Sequence, residues 1–224
     1  MDQIGLYNNR TASIDGVEVK TFAGAIDVYQ NIFNKDTAKE MVSSFEEANS
    51  NPLCPLSYSN AKIGDNHDGG SIRSNVIMGL NYHNDIYNNE CTCKINSILN
   101  FLKEKLSTFV TIYSEKYEVE IAFDEGLQLL KYGPGKQYKA HTDYGPWGAE
   151  HRVVSGLIYI NPGEYLGGGT QFVNFQETIM PETPSIALFP SNYAYRHAAQ
   201  PVFEGYKYAI VTWFGPPWFM NREQ

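Results

Sequence analysis

Cysteine is scarce. Cys54, Cys91 and Cys93 are the three in 224 residues, an odd count too sparse to be a disulfide framework at this length, so free thiols in a reducing compartment are expected. Cys91 and Cys93 form a C-x-C pair, but no other Cys or His pair stands at zinc-ligand spacing to complete a tetrahedral site. Long apolar runs are missing too. None approaches the roughly 18 residues a membrane span requires, and the opening MDQIGLYNNR lacks the basic-then-apolar order of a signal peptide. No membrane association is expected, and the expected location is cytoplasmic. Basic charge is also in deficit. With 17 Lys and Arg against 25 Asp and Glu, the formal net charge is −8. That removes a broad cationic face for phosphate backbones, though not a small local patch, and argues against nucleic acid as a partner. There is no internal repeat or low-complexity tract, and residues 1–224 are expected to form a single domain.

What is present is ordinary globular composition, 42% hydrophobic and 19% charged. The run AIDVYQNIF at 25–33 alternates and is rich in β-formers. Thr37-Ala-Lys-Glu40 then supplies a capping-box pattern for a helix with Met41, Phe45 and Ala48 on one face. Residues 49–90, including GDNHDGGS, are dense in Asn, Asp, Ser and Gly and read as a long loop region whose 55–90 part could serve as a lid. A second helix is predicted from Ile95 to Tyr117, where Ile95, Ile98, Leu99, Leu102, Leu106 and Phe109 recur at helical spacing. After residue 120 the period changes. GLQLLKY, RVVSGLIYIN, PSIALFP and KYAIVTWF are short β-rich runs separated by Gly, Pro and Asn, which predicts an antiparallel barrel or jelly roll. The fold class is therefore mainly β, with helical support mainly at 35–118 and the β core mainly at 120–216.

His141-Thr142-Asp143 ends one predicted strand, where alternation would turn its first and third residues to the same side. With His197, near the start of a later β region, they offer two imidazoles and one carboxylate, the facial donor set that suits Fe(II) and leaves coordination positions open. H-x-D alone discriminates poorly: His83-Asn84-Asp85 matches it as well, in the Asn-dense stretch NYHNDIYNNE. A hydrogen-bonded or exposed histidine is the commoner fate of such a pair. Lys207 adds context. It stands ten residues after His197 in a strand that otherwise reads as core, YAIVTWF, where a lysine is costly unless an anion meets it. Snorkelling to water at a strand end is the ordinary alternative.

Four stretches together resemble the prolyl 4-hydroxylase-like branch of the Fe(II)/2-oxoglutarate-dependent oxygenases: LLKYGPGKQYKAHTD (129–143), RVVSGLIYIN (152–161), GGGTQF (167–172) and YRHAAQPVFEGYKYAIVTWF (195–214). The resemblance implies a double-stranded β-helix, with iron held by His141, Asp143 and His197 and the 2-oxoglutarate 5-carboxylate paired with Lys207. Tyr159 resembles the family tyrosine that bonds that carboxylate, and Tyr132 and Tyr138 match the two tyrosines ahead of H-x-D. An ordinary core aromatic is the alternative for each. Arg152 and Trp213 match substrate-facing positions, although an arginine is more often simply a surface residue. Thr170 and Phe172 would shape the pocket wall, and the preceding glycines the turn into that strand. Arg73-Ser74 matches a pair near the family's substrate loop without an assigned chemistry. His67 and His151 read as loop histidines.

The implied reaction consumes O₂ and 2-oxoglutarate, releases succinate and CO₂, and hydroxylates a C–H bond of a prolyl residue in a peptide or protein substrate, which would bind last. Hydroxylation of a free amino acid or other small molecule is the alternative. A non-catalytic β-barrel binding module, or a cupin-like metal enzyme for which Lys207 is incidental, are the readings from other classes. Ascorbate as a further requirement and the oligomeric state are left open.

Overall fold

The computed structural model describes residues 9–14, 16–63, 67–68, 70–80, 90–146 and 148–217. Two antiparallel sheets carry the second half of the chain. The larger has ten strands, in the order Arg10–Ile14, Val17–Phe22, Ile26–Gln30, Ser185–Pro190, Val154–Tyr159, Lys207–Gly215, Gln128–Tyr132, Val76–Gly79 and Ser59–Asn60, with Phe123–Asp124 paired alongside Lys207–Gly215. The smaller has four, Tyr138–His141, His197–Ala199, Thr170–Phe172 and Glu177–Ile179. Neighbours are mostly distant in sequence, the crossing connectivity of a jelly roll.

Strand alternation divides the core in two. Ile158 is flanked in register by Ile186 on one neighbour and Ile210 on the other, and this isoleucine ladder packs with Leu99, Leu102 and Phe109 of the second helix. The intervening residues Leu157, Tyr159, Ala187, Phe189, Ala209 and Val211 face the smaller sheet, where they meet Phe172 and Ile179. Ile158 is fully buried. Ile158→Ala should cost about 2–5 kcal/mol through lost transfer energy and the cavity left behind, read as a lowered denaturation midpoint.

The helices differ in detail from the sequence reading. The first, Lys35–Ser50, is capped by Asn34, whose side chain accepts from the Thr37 amide at 2.8 Å. Asn34 caps well because its short amide reaches an unsatisfied first-turn N–H, and the Thr37–Glu40 pair falls inside the helix. Ala38, Met41, Phe45 and Ala48 form its buried face. The second helix, Glu90–Tyr117, begins five residues before the predicted Ile95, and Ile98 is only half-buried. The expected loop at 49–90 contributes strands: Val76–Gly79 pairs with Gln128–Tyr132, and Ser59–Asn60 pairs with Val76–Gly79. Its polar composition hid the short apolar run Val76-Ile77-Met78, whose pairing partner lies some fifty residues away.

The free-thiol expectation is also corrected. Cys54 and Cys91 form a disulfide, with Cα atoms 6.0 Å apart across 37 residues, while Cys93 is exposed and takes no part in it. The pairing depends on the chain returning from the sheet edge to the second helix, which no local pattern records. Mass mapping of unreduced protein should recover the Cys54 and Cys91 peptides linked.

Candidate active site

Tyr138–His141 and His197–Ala199 are neighbours in the smaller sheet, and register sets His141 directly across from His197. Asp143 joins them by a different route from the one alternation suggests. The strand ends at His141, and Asp143 lies in the bend beyond it. It is fixed there by the Tyr144 amide, which donates to the Ser191 carbonyl at 2.9 Å, and by the Ser155 hydroxyl, which donates to Asp143 Oδ2 at 2.6 Å. One ligand atom from each of His141, Asp143 and His197 lies within 4.8 Å of the other two.

Both imidazoles have their tautomer set by the backbone. His141 Nδ1 is 2.9 Å from the Lys139 carbonyl and His197 Nδ1 is 3.1 Å from the Tyr195 carbonyl. A carbonyl can only accept, so each Nδ1 carries the proton and each Nε2 presents a lone pair. Those lone pairs point toward the carboxylate, at 3.5 Å from Oδ1 for His141 and 3.7 Å from Oδ2 for His197. Burial pushes His197 down to about 4, which keeps it neutral. Burial alone would raise the Asp143 carboxyl, but attraction to His197 and His141 whenever either ring takes a second proton, and the Ser155 hydroxyl, outweigh it and hold it well below the usual carboxylate range. Three electron-rich atoms therefore converge, and a divalent cation resolves their repulsion. Two nitrogens and one oxygen on one side suit Fe(II) with positions left open.

Ser155 was not singled out from the sequence. It is fully buried, and its hydroxyl also lies 2.8 Å from Ser191 Oγ. Its signal was available: it shares the inward-facing alternation of Leu157 and Tyr159, where a hydroxyl is out of place. By engaging Oδ2 it holds the carboxylate in place beside the two imidazoles. Ser155→Ala should weaken Fe(II) binding about 10- to 100-fold, measured by anaerobic titration, with secondary structure retained.

A cavity of about 1010 Å³ opens between the sheets and includes all three ligands. Inward alternation lines one wall with Lys207, Ala209, Val211 and Trp213, and the adjoining strand adds Gln128, Leu130 and Tyr132. Lys207 is 2% exposed, so the strand-end reading fails. Its Nζ donates to the Gly168 carbonyl at 2.6 Å, presented by a glycine with φ of 68°, a left-handed turn suited to glycine. An ammonium has three donors, and burial pushes this one down to about 7. A carboxylate would satisfy the remaining donors and restore the charge. Tyr132 is the register partner of Lys207. The Tyr159 hydroxyl donates to Thr170 Oγ1 at 2.8 Å, so Thr170, which lines the cavity, stands between Tyr159 and the space. The Tyr138 ring stacks on His141 with centroids 3.6 Å apart and braces that ligand.

Arg152 and Trp213 both line the cavity, but Arg152 is already engaged. Its Nε and Nη2 meet the two Glu125 oxygens at 2.6 and 2.7 Å, its Nη1 donates to the Asp143 carbonyl at 3.3 Å, and it lies 3.7 Å over the Trp213 ring. His151 is a turn histidine as expected, yet it is buried, with Nε2 2.8 Å from Glu125 Oε1. His67 falls in a two-stranded pairing with 62–63. The second H-x-D, at 83–85, lies outside the described residues.

Comparison with known proteins agrees with this geometry. Residues 127–215 match the family model of the 2OG-Fe(II) oxygenase superfamily. The chain is 31% identical over 111 residues to the prolyl 4-hydroxylase subunit alpha-1 of Gallus gallus (42% of this chain, 21% of that one). It is 33% identical over 118 residues to the subunit of the same name in Caenorhabditis elegans (45% and 20%). The chain thus spans about a fifth of the length of these curated relatives. Among solved structures, a Trichoplax adhaerens prolyl hydroxylase in complex with a hypoxia inducible factor peptide fragment superposes with a TM-score of 0.66 at 18% identity, covering 86% of this chain and 84% of that one. The viral collagen prolyl hydroxylase of Paramecium Bursaria Chlorella virus-1, as a 2OG complex, gives 0.59 at 16% identity, covering 87% and 97%. At these identities the structural likeness establishes the jelly-roll fold.

Proposed function

We propose that this chain, whose residues 127–215 belong to the 2OG-Fe(II) oxygenase superfamily, is an Fe(II)- and 2-oxoglutarate-dependent dioxygenase that hydroxylates a prolyl residue in a peptide or protein. The observation that carries this reading is the joint presence, in one cavity, of the His141–Asp143–His197 cluster and the buried ammonium of Lys207. When bound, Fe(II) with 2-oxoglutarate and O₂ supplies the oxidising chemistry, one oxygen atom leaving in succinate and the other entering the substrate C–H bond, with CO₂ released.

The chain's own residues then have distinct tasks. His141 and His197 offer Nε2 lone pairs held in place by the Lys139 and Tyr195 carbonyls. Asp143 contributes the negative charge, with Ser155 holding one of its oxygens. The buried Lys207 receives the 5-carboxylate, with Tyr132 and Thr170 also lining the cavity and Tyr159 fixing Thr170. Leu130, Leu157, Phe189, Ala209 and Val211 supply apolar walls that exclude water and strengthen each charge contact. Arg152 and Trp213 border the site where substrate would enter.

The prolyl substrate is carried over from the relatives' names. Incubating protein, Fe(II), 2-oxoglutarate and O₂ with proline-containing peptides tests it. The expected result is succinate release matched by peptides that have gained one oxygen on proline; turnover of free amino acids with all peptides unmodified would replace the substrate class. Adding ascorbate to the same assay decides whether it is required. A cytoplasmic location remains part of the proposal, and the Cys54–Cys91 pairing stands against it, since disulfides persist in oxidising compartments. Thiol trapping in intact cells decides between them.

A further inference from the structure

Among the described residues, five of the six charged side chains lining the cavity are cationic: Lys62, Arg73, Arg152, Arg196 and Lys207, against Asp143. This occurs in a chain where acidic residues outnumber basic ones 25 to 17. Two of the five have assigned partners, since Lys207 awaits the co-substrate and Arg152 is neutralised by Glu125. Of the acidic residues next to the lining segments, Glu125 is held by Arg152 and His151, and Glu150 accepts from the Gly148 amide. Arg73 and Arg196 have neutral partners among the described residues, and Lys62 stands across from Asp68 in register. Arg196 Nη2 donates to the Ala140 carbonyl at 3.1 Å, and Lys62 is exposed.

Arg73 makes the most side-chain hydrogen bonds of the three. Its Nε, Nη1 and Nη2 donate to Asn75 Oδ1, the Lys62 carbonyl and Gln128 Oε1 at 3.3, 3.1 and 3.3 Å, and it sits 4.8 Å over the Tyr138 ring. A guanidinium has five N–H donors, so two remain on a half-buried group whose charge no carboxylate balances among the described residues. Arg73 bonds Gln128, whereas Lys207 pairs in register with Tyr132, four residues along the same strand. With the co-substrate carboxylate assigned to Lys207, the two remaining N–H donors of Arg73 have no assigned partner among the described residues. A carboxylate on the bound substrate would meet those two donors.

We propose that the cavity mouth selects a peptide carrying Asp or Glu beside the target proline, with Arg73 as the carboxylate contact and Lys62 and Arg196 supplying the surrounding positive field. This rests on the prolyl reading above for the identity of the residue oxidised, and on the cation arrangement alone for the preference in charge. Geometry set in advance by neutral acceptors makes such a contact selective, because the arginine is not drawn away by an internal carboxylate.

The test is binding to the metal-free full chain, read by fluorescence anisotropy with N-acetylated, C-amidated peptides bearing an uncharged fluorophore. Three share a central proline flanked by Asp and Glu, by Asn and Gln, or by Lys; a fourth is the Asn/Gln peptide with a free C-terminal carboxylate. The acidic peptide should bind about tenfold tighter than the amide and lysine peptides at low salt, and the advantage should collapse toward 1 M salt. Arg73→Gln, and separately the charge reversals Lys62→Glu and Arg196→Glu, should each shrink the acidic-to-lysine affinity ratio. That ratio is compared within one protein, so it is insensitive to the fraction folded. Equal affinities, an unchanged ratio in all three variants, or tightening by the free terminus alone would each overturn the proposal. Mass analysis with the iron-loaded protein separates the two readings: an acidic peptide that binds tightly and gains no oxygen removes the prolyl function and leaves charge selection standing.

Discussion

Lys207→Ala is expected to raise the dissociation constant for 2-oxoglutarate by a factor of roughly 100 or more. Removing one partner of a buried charge pair costs about 3 kcal/mol or more, because the other charge is left without compensation. Here the orphaned group would be the 5-carboxylate, enclosed with Tyr132 and Thr170. Isothermal titration under anaerobic conditions measures it, and an affinity unchanged within a few-fold would mean that the co-substrate sits elsewhere. The ionisation of Lys207 adds a pH signature. Its ordinary value is 10.5 and burial brings it to about 7 in the folded, ligand-free protein. The contribution of this side chain to stability is therefore full above pH 10.5 and is lost as pH falls toward 7. A bound carboxylate favours the ammonium and raises its pKa again, so 2-oxoglutarate binding near pH 8 should take up a proton and weaken as pH rises. Titrations in buffers of different ionisation enthalpy report that proton. Lys207→Arg, permanently charged, should abolish the uptake whatever it does to affinity.

His197→Ala and Asp143→Ala should each abolish stoichiometric Fe(II) binding and with it all succinate formation. A facial site has three protein ligands, and His197 provides one of the two nitrogens while Asp143 provides the only negative charge in the cluster. The apo fold should survive in both, because the two sheets are held by apolar cores to which neither residue belongs. The expected anaerobic observation with wild-type protein is a weak visible charge-transfer band on adding Fe(II) and 2-oxoglutarate, missing from both variants. His83→Ala is the internal control, from the H-x-D that lies outside the described residues, and it should retain band and turnover. Loss of metal in that variant alone would mean that the wrong motif was chosen.

The site and its scaffold were unequally legible. His141, Asp143, His197 and Lys207 could be proposed from the chain because each is a costly residue in a β-rich setting, and cost of burial is a local property. The lining could be anticipated too, since alternation in KYAIVTWF places Lys207, Ala209, Val211 and Trp213 on one face. Arg152 shows the limit: its type and position suggested a substrate contact, while its partner Glu125 lies 27 residues earlier and captures it. Val76–Gly79 shows another, a strand hidden in a polar segment because its pairing with Gln128–Tyr132 supplies what its own composition lacks.

For the three candidate iron ligands, the sequence by itself determined which side chains could bind a metal, because donor chemistry resides in single residues, and it determined the β-rich periodicity that carries them. Only the tertiary structure decided how they meet. Antiparallel register sets His141 against His197, and a bend fastened by Ser155 and Ser191 brings in Asp143. Backbone carbonyls choose the tautomers. The same is true of Cys54 with Cys91 and of the cations at the cavity mouth: each is a contact between segments far apart in the chain, fixed by sheet pairing and packing that no short window of residues contains.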